Sequence, residues 1–349
     1  MLSQKLLFCL LLIAGTLHGQ DGLFTNFDEA SFYHNPALTG FIPGDATTRL
    51  QVRAREQWRS FLGTGAYRTM TTGIEQRFCG NDDGDYFAFG ANVQADWQGD
   101  PSLRRINLFG SFAYTKDFSS RFQTRLLSAG VEAGYLQFNL EQGSLTFDDQ
   151  FDDPGLPDEA LGFQNLLLFD YGVGIFFTQF SKAKSGYGFN AGISAKHLGQ
   201  PELRFIDNPA TDNQTSVNLP TRWTIHAGGN NLPTPALGNT TLSVLGLVSV
   251  QGPHNQILGR VLLNLERTKT GDGKYLSLGA AYRMNIGVNG LGSDALIIVG
   301  QWNGPGYRFS ANYDMNVSRL RSATNSVGAI ELSFFNFFGK ASCIRCPRW

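Results

Sequence analysis

The sequence predicts an all-β protein: a transmembrane, outer-membrane antiparallel β-barrel of about 14 strands with an N-terminal plug-like segment. Three observations lead there. First, one segment after another alternates with period two, an apolar face against a polar or small one. Second, 41 glycines, 13% aromatic residues and only 16% charged residues suit a β architecture, and no apolar run long enough for a transmembrane helix follows the N-terminus. Third, the longest joins between the expected strands all follow odd-numbered ones, as they do in barrels with short turns on one side and long loops on the other.

In chain order, Met1 to Gly19 carries Lys5, an apolar core from Leu6 to Ala14 that includes Cys9, and small or polar residues up to Gly19. That is the pattern of a cleaved secretory signal. The mature chain, 20–349, is expected to be one domain, made of a plug segment (20–44), a barrel (45–338) and a periplasmic tail (339–349). In the plug segment Asn35, Pro36 and Ala37 open a turn-forming run that ends at Gly40. The first strand, 46–58, sets Arg49, Gln51, Arg53 and Arg55 on one face and Leu50, Val52 and Ala54 on the other. So many charges on one face do not fit a packed apolar core, where each unpaired one costs several kcal/mol. They fit a wet lumen. The third strand repeats the pattern, with Phe89, Ala91 and Val93 directed to lipid and Asn92 and Asp96 to the lumen.

Further strands are expected near 66–78, 105–116, 127–135, 165–180, 186–198, 221–229, 240–251, 256–267, 274–285 and 294–302. The chain closes on a hairpin in which Phe309, Ala311, Tyr313 and Met315 face the same side as Ile330, Leu332 and Phe334. Trp58, Trp97, Trp223 and Trp302 fall towards strand ends, where an aromatic girdle needs them. The longest joins, 139–163 and 199–219, follow the fifth and seventh strands and are expected outside the cell.

Few residues suggest chemistry. The join from Glu141 to Glu159 holds Phe147, Asp148, Asp149, Phe151, Asp152 and Asp153 and no Lys or Arg. Its hard oxygen ligands would suit calcium, but the spacing is not that of an EF-hand, and a solvated acidic loop explains it as well. Cys343 and Cys346 fit a structural disulfide or small tail residues better than a redox or zinc site, since no second CxxC or His pair accompanies them. The histidines His34, His197, His226 and His254 are scattered, and no GxSxG, HExxH or P-loop occurs. Lys196-His197, at a strand end, reads as an interface-facing pair. A net charge of -1 excludes a general nucleic-acid binder. The expectation is therefore a protein that is not an enzyme and carries no cofactor.

Several stretches together resemble the PorP/SprF family, outer-membrane proteins of the type IX secretion and gliding machinery. They are Asn35-Pro36-Ala37-Leu38-Thr39-Gly40, Arg55-Glu56-Gln57-Trp58, Phe147-Asp148-Asp149-Gln150, the run from Tyr187 to Leu198, Asn312 to Ser318, and Cys346-Pro347-Arg348. The resemblance implies a role in exporting and displaying cargo, such as adhesins, that bears a C-terminal sorting domain, together with machinery components that include periplasmic proteins. Family members typically carry a His-Glu pair in the last strand. This chain has Ile330-Glu331 there, so no role of that histidine transfers. On this reading the acidic join would contact cargo and the tail, with Lys340, Arg345 and Arg348, a periplasmic partner. A FadL-type transporter of hydrophobic small molecules is a second class; it needs an apolar tunnel, whereas Arg49, Arg53, Arg55, Asp96 and Glu132 predict a polar lumen. An outer-membrane enzyme built from Ser, His and an acid is the third.

Overall fold

The computed structural model describes residues 24–25, 31–79, 84–99, 103–139, 165–182, 186–208, 213–238, 240–266, 274–287 and 290–340. The expected signal sequence, the acidic join and the cysteine tail lie outside them. The first seven strands are β1 (Thr48–Gln57), β2 (Tyr67–Cys79), β3 (Tyr86–Gln98), β4 (Leu103–Asp117), β5 (Gln123–Asn139), β6 (Asn165–Ser181) and β7 (Gly188–Lys196). A short pair follows, β8 (Glu202–Asn208) and β9 (Asn213–Asn218). Then come β10 (Arg222–Pro233), β11 (Thr241–Gln251), β12 (His254–Glu266), β13 (Tyr275–Gly287), β14 (Gly290–Gly304), β15 (Tyr307–Asn316) and β16 (Val327–Phe338).

All of these except β8 and β9 form one closed antiparallel barrel of 14 strands. The closing hairpin β15–β16 completes it, because β16 pairs with β1 from Thr48↔Phe338 to Gln57↔Ala329. Closure leaves no barrel strand without a neighbour on either side, which is what a sheet in hydrocarbon requires. The alternation turns a soluble protein inside out. Leu50 and Val52 are exposed on the outer face of β1 while Arg49, Gln51, Arg53 and Arg55 are buried within. Phe89, Val93, Phe112, Val131, Ile175, Ile298 and Leu332 continue the exposed apolar band around the barrel. This is an outer-membrane barrel. Accordingly, Val93→Arg, at the middle of β3, is expected to cost about 2–4 kcal/mol and to lower the amount of assembled protein, whereas Asn92→Ser, facing inward, is not. Outer-membrane yields of the two variants check the facing.

Joins after β1, β3, β5, β7, β11, β13 and β15 lie at one end, which carries the two longest, 140–164 and 197–221, and is taken as the outer end; the other is the turn end. The join between β7 and β10, expected as a long connection, instead contains the β8–β9 hairpin, which forms its own sheet. Leu203 and Leu219 at its base pack with Phe109, Leu136 and Phe138, backed by Leu166 and Leu168. Leu136, Phe138, Leu166 and Leu168 lie near the outer ends of β5 and β6 and Phe109 midway along β4, so the base of the hairpin reaches into the barrel from the outer end.

Lys196 and His197 are not an interface-facing pair: both are buried. Lys196 continues the inward face of Ser194, and His197, with a left-handed backbone (φ 57°), is buried next to it against the alternation. The lumen also differs from a uniformly polar one. On β11 to β14 the inward positions include Leu245, Leu247, Leu258, Leu262, Ala281, Ala295, Ile297 and Val299, which form one apolar cluster.

Candidate functional site: an occupied lumen

Asn35 is buried against the inner wall and connects the N-terminal segment to it. Its backbone is extended (φ -149°), and its Oδ1 accepts from the Ala37 amide at 2.9 Å, capping the short 3-10 helix Pro36–Leu38. Proline at the first helical position has no amide to leave unpaired. The same Asn35 side chain donates from Nδ2 to the carbonyl oxygens of Ile175 at 3.1 Å and Ile193 at 3.4 Å, with His226 Nε2 at 3.3 Å. Such close approach needs bare backbone on the wall. A Cβ on Gly130 would stand 2.5 Å from the Ala37 nitrogen and the Pro36 carbonyl, and one on Gly174 would overlap the Asn35 side chain.

Around this anchor, wall side chains hold the segment largely through its main chain. Lys196 Nζ and an Arg222 nitrogen donate to the Tyr33 carbonyl at 2.9 and 3.0 Å, and Arg222 also reaches the Tyr33 hydroxyl at 3.1 Å. Ser194 donates to the His34 carbonyl at 2.5 Å. Glu75 accepts from the Gly40 amide at 2.7 Å, and Arg77 donates to the carbonyls of Ile42, Gly44 and Ala46 at 3.3, 3.4 and 2.7 Å. On the other flank Ala37, Leu38 and Phe41 pack against the apolar cluster of β11–β14 and Phe176. The segment is therefore two-faced, like the wall that holds it.

Several buried charges on the polar wall are paired. Arg49 bridges Glu75 at 2.6 Å, and Lys196 bridges Glu132 at 2.8 Å. Near the outer end Arg55 meets Asp314 at 2.8 Å and Glu331 at 3.4 Å, Arg283 meets Asp314 at 3.0 Å and also Asp294, and Arg53 lies 3.9 Å from Glu331. Thr25 completes that cluster. Its amide donates to Glu331 at 2.8 Å, its hydroxyl to Asp314 at 2.9 Å, and Arg55 donates to the hydroxyl at 2.7 Å. Phe24 lies beneath the Arg53 guanidinium, 4.6 Å from its ring centroid, and packs edge-on against Tyr33. His197 pairs with Asp170 through Nδ1.

Of the residues singled out from sequence, Asn35, Pro36, Ala37, Arg49, Arg53 and Arg55 are all buried; the first three lie against β5 and β6, and the arginines meet Phe41, Phe24 and Thr25 of the N-terminal segment. Asn92 and Asp96 also face inward, the latter accepting from the Thr69 hydroxyl at 2.6 Å. Phe147, Asp148, Asp149, Phe151, Asp152, Asp153, Cys343 and Cys346 lie outside the described residues. Thr25, Tyr33, Glu75, Arg77, Arg222, Asp314 and Glu331 carry the anchoring and were not singled out. Alternation could have marked Glu75, Arg77, Asp314 and Glu331 as inward-facing, but nothing local marks Thr25 or Tyr33. Among the described residues no cluster of three or more His, Cys, Asp or Glu could hold a metal ion.

A family model described as type IX secretion system membrane protein PorP/SprF matches residues 16–335. No curated protein matches the chain. Among solved structures, the monoaromatic hydrocarbon channel CymD is similar with a TM-score of 0.48 and 10% identity, over 91% of this chain and 95% of that one. A mutant of TodX, also a monoaromatic hydrocarbon channel, has a TM-score of 0.48 and 12% identity, over 89% and 94%. CdiB from Acinetobacter baumannii has a TM-score of 0.44 and 6% identity; 84% of this chain is covered, and it spans 60% of CdiB.

Proposed function

Because the chain belongs to the PorP/SprF family of type IX secretion system membrane proteins, we propose that it is a non-enzymatic barrel that supports export and surface attachment of cargo with a C-terminal sorting domain. The family match over 16–335 carries the reading. The occupied lumen supports it, since cargo handled by such a barrel is gripped at a face and not passed through the middle. The outer joins are the largest surface for that grip. A stable contact buries roughly 1,200 Å² or more, which calls on both the 140–164 join and the β8–β9 hairpin. Phe147 and Phe151 would serve as aromatic anchors, with Asp148, Asp149, Asp152 and Asp153 supplying charge complementarity. The tail beyond Phe338 leaves from the turn end and would dock a periplasmic component of the machinery.

Shortening 142–161 to a tight turn, in cells where the barrel still assembles, is expected to release cargo into the medium or to block its export. Unchanged surface display would remove that join from the mechanism. The grip needs no cofactor, so chelating calcium is expected to leave the unfolding temperature of the purified barrel unchanged. A rise in that temperature on adding calcium back would instead assign the acidic join to metal.

One observation favours transport of hydrophobic small molecules as a second reading: the apolar wall of Leu245, Leu247, Leu258, Leu262, Ile297 and Val299. In that case Ala37, Leu38 and Phe41 would have to withdraw to expose it. Saturable binding of a long-chain fatty acid to the purified barrel, lost in Leu262→Asp, would support transport over cargo attachment.

A further inference from the structure

We infer that the chain enters its own barrel from the outer end, so that the residues just ahead of Phe24 are presented on the cell surface. The contacts of the N-terminal segment form a descending series. Thr25 is held by Arg55, two residues before the outer end of β1, by Asp314, two before the outer end of β15, and by Glu331 near the outer start of β16. Tyr33 is held by Lys196, the last residue of β7, and Arg222, the first of β10, at the level where β7 ends against the middle of β6 (Ala195↔Val173). Asn35 and Pro36 lie against Gly174 and Gly130, midway along β6 and β5. Gly40 reaches Glu75 and Ala88, close to the turn end of β2 and β3. Ile42 to Ala46 meet Arg77, two residues from the turn end of β2, and β1 then starts upward at Thr48.

The segment and β1 thus form a U whose inner limb runs down the lumen and whose outer limb is the first strand of the wall. The inner limb bonds to strands on both sides of the β1–β16 seam, at Glu75 of β2 and Asp314 of β15. And a residue two positions ahead of Phe24 lies no more than about 7 Å from it, since the chain spans at most about 3.6 Å per residue. It shares the outer end with the joins 58–66 and 317–326.

Single cysteines in the full-length protein test this, with Cys79, Cys343 and Cys346 replaced by serine. On intact cells a membrane-impermeant maleimide is expected to label Gly22→Cys as it labels Ser60→Cys in the β1–β2 join, while Ser120→Cys in the β4–β5 turn reacts only after permeabilisation. A short epitope inserted directly before Phe24, read by antibody on intact cells, gives the same answer if the Gly22 variant assembles poorly. Labelling of Gly22→Cys only alongside Ser120→Cys would overturn the inference, and so would exchange of the Ser60 and Ser120 patterns. Cargo display does not enter the readout, so these failures are distinct from failure of the cargo role.

Discussion

Arg55→Ala is expected to destabilise the folded barrel by about 3–5 kcal/mol, the range for removing one partner of a buried ion pair. The effect is large because the arginine answers two carboxylates at once, Asp314 at 2.8 Å and Glu331 at 3.4 Å, and also donates to Thr25. Without it Arg283 remains for Asp314, but Glu331 keeps only Arg53 at 3.9 Å and the Thr25 amide. Two buried carboxylates would then face one another across the outer end of the lumen. Arg55→Lys keeps the charge but not the fork that reaches both, so it is expected to fall between wild type and alanine. The temperature at which the barrel loses its compact gel mobility in detergent orders the three. Equal temperatures would mean that the charges are hydrated separately and the cluster does not hold the segment.

Gly130→Val should unseat the N-terminal segment while leaving the barrel closed. The added Cβ meets the Pro36 carbonyl and the Ala37 amide nitrogen at 2.5 Å, main-chain atoms that cannot rotate aside. Overpacking of this kind costs about 1–3 kcal/mol and can exceed it where backbone must move. Limited proteolysis of the purified protein is expected to remove the segment from the variant and spare it in wild type. Gly246→Val is the control, because a Cβ there meets nothing within 4 Å. Equal protection of the segment in both variants would show that Asn35 and its neighbours are not seated against β5.

The strands were legible because a half-buried strand has period two and a barrel repeats it, so 14 strands could be marked near their observed positions. The facing of Leu50 and Arg53 was legible for the same reason. What was not legible arose from contacts between distant residues. Thr25 meets Glu331 across 306 positions, and no local pattern announces it. Tyr33, Ile42 and Ala46 are gripped by their carbonyl oxygens, which every residue has. Along β11, Val244-Leu245-Gly246-Leu247-Val248 is apolar on both faces, so periodicity could not show that Leu245 and Leu247 line the lumen and receive Leu38. The β8–β9 hairpin was hidden by its brevity and by the turn-like Asp207-Asn208-Pro209 at the end of its first strand. At Lys196-His197 a single left-handed residue defeated the alternation rule.

Steady conductance of the purified barrel in planar lipid bilayers tests most directly whether this is a barrel filled by its own chain. With Phe24, Thr25 and residues 33–46 held by the wall from the outer end to the turn end, wild-type protein is expected to pass little steady current, and Gly130→Val more. A large, stable, porin-like current through wild-type protein would contradict the occupied lumen.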